Sequence, residues 1–281
     1  MIRISPGSFC ENEGEWKAEL PRFSPTPIRT LTLATYNIWF DPHHQAARHL
    51  AILQILKPQR PDVIALQEVT HRSLERILRQ DWIRQDYTVS DFRGNTFSSY
   101  GTVTLSRIPV LGFKQTSLPS QMGRNLLTTT LEIAGRKIII GNVHLESRKV
   151  SQPTRAQQME RIFPLLADAD DAALMGDFNL CSSWKHENDL IDRSYVDCWP
   201  ALHDADGYTE DTHINTMRYL KKGKHKQVRF DRILIRGNNW KPTSINLLGT
   251  ESIATDLPDV FPSDHFGLVV SLDRQTTSKT T

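Results

Sequence analysis

FPSDHFGLVVSL, residues Phe261–Leu272, joins a polar triplet to an apolar run near the end of the chain. From Phe266 onward the run is rich in β-branched residues and predicts a buried strand. Ser263, Asp264 and His265 stand directly before it. An acid and an imidazole directly before a core strand contribute nothing to its apolar packing. The triplet is therefore either a polar strand cap or part of a catalytic site.

Composition indicates a soluble globular protein. The 281 residues are 38% hydrophobic and 23% charged, which is unlike a disordered chain. The net charge of +2 excludes a basic field over the whole molecule of the kind that attracts nucleic acid. Basic residues do cluster locally in RYLKKGKHK (Arg218–Lys226) and between Arg148 and Arg161. A run like the first is typical of a solvated loop, so we give it little weight as a binding site.

The cysteines and the apolar segments indicate where the protein works. Cys10, Cys181 and Cys198 are odd in number and lack metal-ligand spacing, which is typical of a reducing compartment. The N-terminus lacks the apolar segment of a signal peptide, and no apolar run approaches the ~20 residues of a membrane helix. We expect a soluble intracellular protein of the cytoplasm or nucleus, without a membrane partner.

Strand and helix patterns alternate along the chain. LTLATYNIW (Leu31–Trp39) and DVIALQEV (Asp62–Val69) predict strands, and the segment between them has helical spacing. Later strands include hairpin partners joined by Ala134-Gly135. Strands interleaved with helices and hairpins predict an α/β sandwich with mixed sheets. We expect a flexible N-terminal lead-in at residues 1–28, a single domain at 29–273 and a frayed C-terminus at 274–281.

Polar residues gather at the ends of these predicted strands. Each has an ordinary structural interpretation on its own, such as a turn residue for Asn37 or a satisfied buried imidazole for His144. Side chains at strand ends of an α/β sheet meet in one cleft, so the set as a whole indicates a functional site. The set is Asn37, Gln67, Glu68, His144, Glu146, Ser147, Asp177, Asn179, Asp231, Asp264 and His265.

These residue types suit metal-assisted hydrolysis of a phosphate ester. Carboxylate and amide oxygens without cysteine favour Mg²⁺ or Mn²⁺, and Mg²⁺ takes only one or two protein carboxylates. A histidine beside an aspartate can stay protonated and stabilise an oxyanion. A second aspartate can deprotonate water. Motifs of P-loop nucleotide binding, of G-x-S-x-G serine hydrolases and of H-E-x-x-H zinc proteases are absent from the sequence.

The series TYN, LQE, HLES, GDFN and SDH, in this order, resembles the endonuclease/exonuclease/phosphatase superfamily. That resemblance implies a two-sheet α/β sandwich and a divalent metal. NVHLESR, YTEDTHIN and VRFDRILIR further resemble its 5′-tyrosyl-DNA phosphodiesterase branch, over nearly the whole chain after residue 30. The implied substrate is a DNA 5′ end that carries a tyrosyl adduct.

The resemblance also implies roles for individual residues. Glu68 would bind Mg²⁺, for which Mn²⁺ substitutes, and Asp264 would assist through the water shell of the metal. Asp177 would activate the attacking water, with Asn37 and Asn179 positioning water and phosphate.

The remaining implied roles concern the phosphate and the substrate. His265 would stabilise the transition state and be oriented by Asp231. The positions that the resemblance assigns to substrate contacts are Tyr100, Arg124, His144 and Ser147.

The chain departs from the family pattern at two positions. Glu210 stands where family members often carry tryptophan, so we expect no flat wall beside the DNA end. Trp39 stands where animal members commonly carry an acid. With about 30 residues before the first strand, we expect no ubiquitin-binding module ahead of the domain. We also expect a monomer.

Three alternatives to this function stay open. The same chemistry would serve an abasic-site nuclease or exonuclease, or a phosphatase acting on lipid or inositol phosphates. HLES and the absence of a membrane-binding segment argue against both. The third alternative is a catalytically inactive relative that serves as a binding module. Every motif position holds a catalytically competent residue, which argues against it.

Overall fold

The computed structural model describes residues 1–20 and 28–275. The helices in these residues are α1 (Gln45–Gln59), α2 (His71–Leu78), α3 (Asp81–Asp86), α4 (Gln152–Leu166), α5 (Lys185–Asn188), α6 (Cys198–Leu202) and α7 (Met217–Lys222). The strands are β1 (Ile2–Ile4), β2 (Ser8–Cys10), β3 (Glu15–Lys17), β4 (Thr30–Asn37), β5 (Val63–Thr70), β6 (Thr88–Val89), β7 (Tyr100–Ser106), β8 (Val110–Ser117), β9 (Asn125–Ile133), β10 (Arg136–His144), β11 (Asp171–Asp177), β12 (Tyr195–Asp197), β13 (Glu210–Asp211), β14 (Gln227–Val228), β15 (Asp231–Arg236), β16 (Trp240–Leu248) and β17 (Gly267–Arg274).

Two large sheets form the centre of the fold. One has seven strands in the order β1-β8-β9-β10-β11-β15-β12, and the other has six in the order β16-β17-β4-β5-β7-β6. Among the described strands, β4–β5 and β10–β11 pair in parallel, and the other pairs are antiparallel. Each sheet is therefore mixed, which confirms the predicted two-sheet α/β sandwich.

The apolar side chains form one layer between the sheets and one on each outer face. Leu33 and Val63 of the six-stranded sheet pack with Phe113, Leu127 and Ile140 of the seven-stranded sheet in the central layer. Helices α1 and α2 cover the outer face of one sheet, and α4 covers that of the other. Because β5 and β11 are covered on both faces, they have nearly continuous apolar sequences.

The start of the chain differs from the predicted flexible lead-in. β1 pairs with β8 at the edge of the seven-stranded sheet, and β2 pairs with β3. Trp16 packs against the helical layer, and its ring meets Phe9 edge to face. Three-residue strands are stabilised by an existing sheet edge and not by their own sequence, so periodicity does not reveal them.

The predicted ends of the domain fall partly outside the described residues. Residues 21–27 of the lead-in and residues 276–281 of the frayed C-terminus are not described. Strand β17 continues to Arg274, one residue beyond the predicted domain end. Across residues 1–20 and 28–275, no helix has the length and apolar character needed to cross a membrane.

Candidate active site

Strand pairing brings the predicted polar residues to one edge of the sandwich. Asn37, the last residue of β4, lies opposite Gln67 of β5. In the other sheet, His144 at the end of β10 lies opposite Asp177, and Asp177 lies opposite Asp231. The carboxyl ends of the two parallel pairs therefore supply side chains to a common site.

Asn37 and His144 connect the two sheets through two carboxylates. The Asn37 amide donates to Asp177 Oδ2 at 3.0 Å and to Glu68 Oε1 at 3.3 Å. His144 Nε2 lies 3.4 Å from Asp177 Oδ2 and 3.9 Å from Glu68 Oε1. Four of the predicted site residues thus form one contiguous cluster.

The backbone at Glu68 departs from regular strand geometry. The register between β5 and β7 shifts between Leu66 and Val69, and Glu68 in this irregularity has φ +60°. A bulge of this kind redirects a side chain out of the strand alternation. The Glu68 carboxylate accepts a hydrogen bond from the Phe40 backbone N–H at 3.0 Å. Strain at this position is consistent with a functional role.

The GDFN turn needs glycine at its first position. Gly176 has φ +137°, and a Cβ there would overlap the carbonyl oxygen of Val143 on the neighbouring strand. Directly after it, Asp177 Oδ1 accepts the Asn179 backbone N–H at 2.8 Å, and the Asn179 amide donates to Leu145 O at 3.1 Å. Asp177 and Asn179 therefore form an Asx-type turn, which also holds the Asp177 side chain in the site.

His265 and Asp231 form a buried pair. His265 Nδ1 lies 2.7 Å from Asp231 Oδ2. Two further contacts support the pair, since Thr209 Oγ1 accepts the Asp231 backbone N–H at 3.1 Å and Ser263 Oγ donates to Asn37 O at 2.6 Å. The Ser263 contact joins the loop before β17 to the end of β4. Asp264 and His265, placed before the last strand, thereby reach the same site as Asn37.

Electrostatics separates the charge states of these groups. Burial alone would lower the pKa of His265, but attraction and hydrogen bonding to Asp231 raise it well above 6.5. Burial also opposes ionisation of Asp177, yet its contacts with the histidines and the hydrogen bonds from Asn179 and Asn37 lower its pKa below the usual value. At neutral pH the site therefore holds a histidinium and an ionised aspartate.

His144 is in the opposite state. Burial and the adjacent Arg124 guanidinium lower the pKa of His144 to about 3, so the ring is neutral. Arg124 Nη1 lies 2.9 Å from His144 Nδ1, and because arginine only donates, Nδ1 is the acceptor. The proton therefore sits on Nε2, which faces Asp177.

Arg124 also assembles the other predicted substrate-contacting residues. Its Nη2 donates to Ser147 Oγ at 3.0 Å, and its guanidinium lies 5.6 Å from the centre of the Tyr100 ring. The Phe40 ring stacks on that of Tyr100, with the ring centres 4.7 Å apart. Tyr100, Arg124, His144 and Ser147, which the resemblance assigns to substrate contacts, are therefore neighbours.

A cavity of about 600 Å³ opens at this edge. Predicted residues that line it are Glu68, His144, Ser147, Asp177, Asn179, Asp264 and His265. Sequence reasoning missed the basic residues that line it, namely Arg148, Lys149, Arg218, Lys224 and Lys226. The run Arg218–Lys226, interpreted as a solvated loop, and the basic region that begins at Arg148 both contribute to this wall. Their charge density was the available signal, but charge alone does not reveal which side of a loop faces a cavity.

The donor set fits a hard divalent cation. Burial and the nearby Asp264 carboxylate raise the pKa of Glu68 to about 7, and burial also raises the pKa of Asp264. A bound cation would offset this cost of holding two buried carboxylates together. The ligand atoms of Asp177, Asp231 and His265 also lie within 4.8 Å of one another. In that second group, His265 Nδ1 is already hydrogen-bonded to Asp231 Oδ2 and is not free to bind a metal. Glu68 and Asp264 are therefore the better candidates for metal ligands.

Known proteins share this architecture. The sequence pattern of the Endonuclease/Exonuclease/phosphatase family matches residues 34–265. "Tyrosyl-DNA phosphodiesterase 2" of Xenopus laevis is 30% identical over 253 residues, which are 86% of this chain and 66% of the relative. The chain thus spans slightly less than two thirds of the length of that relative.

Solved structures are similar as well. A D. rerio TDP2 structure complexed with single-strand DNA product has a TM-score of 0.76 at 24% identity, covering 87% of this chain and 99% of that chain. TDP2 from C. elegans has a TM-score of 0.73 at 27% identity, covering 87% and 75%. The family match spans most of the chain and includes the strand ends that form the cluster described above. This protein therefore belongs to the endonuclease/exonuclease/phosphatase family.

Proposed function

We propose that the protein is a Mg²⁺-dependent phosphodiesterase that hydrolyses 5′-phosphotyrosyl bonds at DNA ends and releases a 5′-phosphate. The observation that carries this proposal is the cluster of Asn37, Asp177 and His144 beside the Asp231–His265 pair. The cavity thus holds an ionised carboxylate, Asp177, that can deprotonate water, and a buried imidazolium, His265. Similarity to tyrosyl-DNA phosphodiesterases supports the choice of substrate.

Asp177 is the proposed water base. Hydrogen bonds from Asn179 to Oδ1 and from Asn37 to Oδ2 orient its carboxylate toward the cavity. In the proposed step the water oxygen forms a bond to phosphorus while Asp177 takes the water proton. The bond from phosphorus to the tyrosyl oxygen breaks, and the phenolate leaves and takes a proton from solvent. A 5′-phosphate remains on the DNA.

His265 is the proposed electrostatic partner of the phosphate. Negative charge grows on the non-bridging oxygens as the new bond forms, and a fixed imidazolium stabilises that charge without reorganising. Asp231 keeps the ring protonated and oriented through the 2.7 Å contact. Arg124 and Ser147, joined at 3.0 Å, are the proposed further donors to the same phosphate.

Glu68 is the proposed direct ligand of Mg²⁺, with Asp264 acting through bound water. Both are oxygen donors that line the cavity; Asp264 is buried, and the Glu68 side chain is 13% exposed. When bound, the cation supplies Lewis-acid stabilisation of the phosphate charge. Manganese substitutes because it prefers the same oxygen donors.

An end-group comparison tests this function. Labelled oligonucleotides carry a 5′-tyrosine, a 3′-tyrosine, an internal abasic site or a plain 5′-phosphate, and a soluble inositol phosphate serves as a further substrate. We expect the 5′-tyrosyl oligonucleotide to be cleaved fastest, with a 5′-phosphate product. Faster turnover of the abasic or inositol substrate would instead assign the protein to another activity of the family.

Chelation and an inactive variant complete the test. Excess EDTA should stop the reaction, and added Mg²⁺ or Mn²⁺ should restore it. Asp177→Asn is the matched control for contaminating nucleases, because it removes one proton acceptor and keeps the side-chain volume. Turnover that persists in EDTA, or in this variant, would refute the proposed chemistry.

A further inference from the structure

Arg218 lies between two buried carboxylates at the wall of the cavity. Its Nη1 donates to Asp264 Oδ2 at 3.2 Å, and its Nε lies 3.5 Å from Glu210 Oε1. The side chains of Asp264 and Glu210 are 3% and 4% exposed, whereas that of Arg218 is 34% exposed. The guanidinium is therefore shared by two fixed anions and keeps access to the cavity.

Glu210 is held independently of Arg218. It lies in β13, where it pairs with Val228 of β14, and its Oε2 accepts from Lys226 Nζ at 2.8 Å. Arg218 lies on the short helix α7 between these two strands. The strand ladder thus fixes Glu210, and its carboxylate shares the guanidinium with Asp264.

Besides its contact with Arg218, Asp264 is proposed to bind the metal through water. A guanidinium and a divalent cation are both attracted to the same carboxylate, and each lowers the affinity of the site for the other by charge repulsion. Arginine also binds carboxylate and phosphate with the same planar arrangement of donors. Arg218 therefore has an alternative anionic partner once a phosphate enters the cavity.

We propose that Arg218 is a positioning residue that competes with the divalent cation for Asp264, and that Glu210 weakens this competition by sharing the guanidinium. The inference rests on the proposed function, because it requires the metal beside Glu68 and Asp264. Without substrate, Arg218 keeps metal affinity low. A substrate phosphate draws the guanidinium away from Asp264, so metal and substrate bind more tightly together than apart.

The test measures Mn²⁺ binding without DNA, through the electron paramagnetic resonance signal of free Mn²⁺. Arg218→Gln should tighten Mn²⁺ binding by about tenfold, since one positive charge near a divalent ion is removed. Arg218→Lys keeps the charge and should stay close to wild type. Glu210→Gln should weaken Mn²⁺ binding, because the guanidinium of Arg218 then pairs with Asp264 alone.

Lys221→Gln is the matched control. Lys221 lies on the same helix with a similar exposure of 38%, but it pairs with Asp41 outside this network. Its removal should leave Mn²⁺ affinity nearly unchanged. In the Arg218→Gln background, most of the effect of Glu210→Gln should disappear, because Glu210 acts through the guanidinium. Thermal melting confirms folding of each variant, and Arg218→Met replaces Arg218→Gln if the latter does not fold.

Two outcomes would overturn the inference while leaving the proposed function intact. One is equal Mn²⁺ affinity in wild type and Arg218→Gln, and the other is weaker affinity in the variant, which would mean that Arg218 supports the metal site. Absence of Mn²⁺ binding by the wild-type protein would overturn the inference together with the proposed metal. The end-group assay then decides separately whether the activity itself stands.

Discussion

His265 Nδ1 and Asp231 Oδ2 lie 2.7 Å apart, although the residues are 34 positions apart in the chain, with Asp231 in β15 of the seven-stranded sheet and His265 in the loop before β17 of the other sheet. Both side chains are buried, so the contact excludes competing water. It leaves Nε2 as the ring nitrogen that can face a phosphate in the cavity. The pair therefore explains how a histidine before a core strand stays protonated at neutral pH.

Removing this charge should lower kcat more than it changes KM. We expect His265→Ala to reduce kcat by roughly 10²–10³, as loss of one oxyanion donor does in other enzymes. Asp231→Asn should act in the same direction with a smaller effect. Steady-state kinetics of both variants and of the double variant check this. Because both act through one imidazole, the losses should not add, and additive losses would show that Asp231 acts elsewhere.

Substitutions of Asp177 and of Glu68 should affect different kinetic quantities. Asp177→Asn should lower kcat on the order of 10² or more while substrate binding is nearly kept, because a proton acceptor is lost. Glu68→Gln should weaken metal binding, and excess Mg²⁺ should partly restore its rate. Rates measured across a Mg²⁺ series separate the two variants. An identical loss in both, with no response to Mg²⁺, contradicts the assigned roles.

His49 should make stability depend on pH below neutrality. It is buried in α1, where burial and then the adjacent Arg48 lower its pKa from 6.5 to about 4. Between these values the unfolded chain binds more protons, so the free energy of unfolding falls as the pH falls from 6.5 toward 4.

The lowered pKa of His49 also sets the size of this change in unfolding free energy. Between pH 7 and pH 5, His49 should account for about 2 kcal/mol of the loss in unfolding free energy. His49→Gln keeps a donor near the Ile38 carbonyl, which His49 Nε2 contacts at 3.2 Å, and cannot titrate. Urea denaturation at both pH values measures the difference. An unchanged pH dependence in the variant would show that His49 contributes nothing.

Arg155 should stabilise the loop that carries Ser147. Its Nε contacts Glu187 Oε1 at 2.6 Å, and its Nη1 donates to the carbonyls of Glu146 and Arg148 at 2.9 and 2.7 Å. Arg155→Met leaves Glu187 as an unpaired buried charge and should cost about 3–5 kcal/mol of unfolding free energy.

An exposed ion pair of the same region provides the comparison for Arg155. Lys185 and Asp189 pair at 2.9 Å, with side chains 81% and 58% exposed. Lys185→Met should cause no measurable loss, because solvent screens such pairs. Equal effects of the two substitutions in denaturant titrations would show that burial of the Arg155 pair is unimportant.

Some features of this protein follow from short stretches of sequence. Apolar runs such as DVIALQEV predict strands covered on both faces, because strand periodicity and burial are local properties of the chain. The motifs that end these strands indicated the predicted site residues and the family. Strand β16 (Trp240–Leu248) was not predicted, since Pro242 and polar alternation weaken the strand signal at a sheet edge.

The tertiary structure alone decided which groups act together. Whether Asp231 would meet His265, or Asn37 would meet Asp177 from 140 residues away, depends on sheet order and register rather than on periodicity. The same holds for Arg218, which the charge run assigned to solvent and the fold directs to Asp264. Charge states follow from these contacts, because burial and neighbouring charges that only the folded chain provides set each pKa.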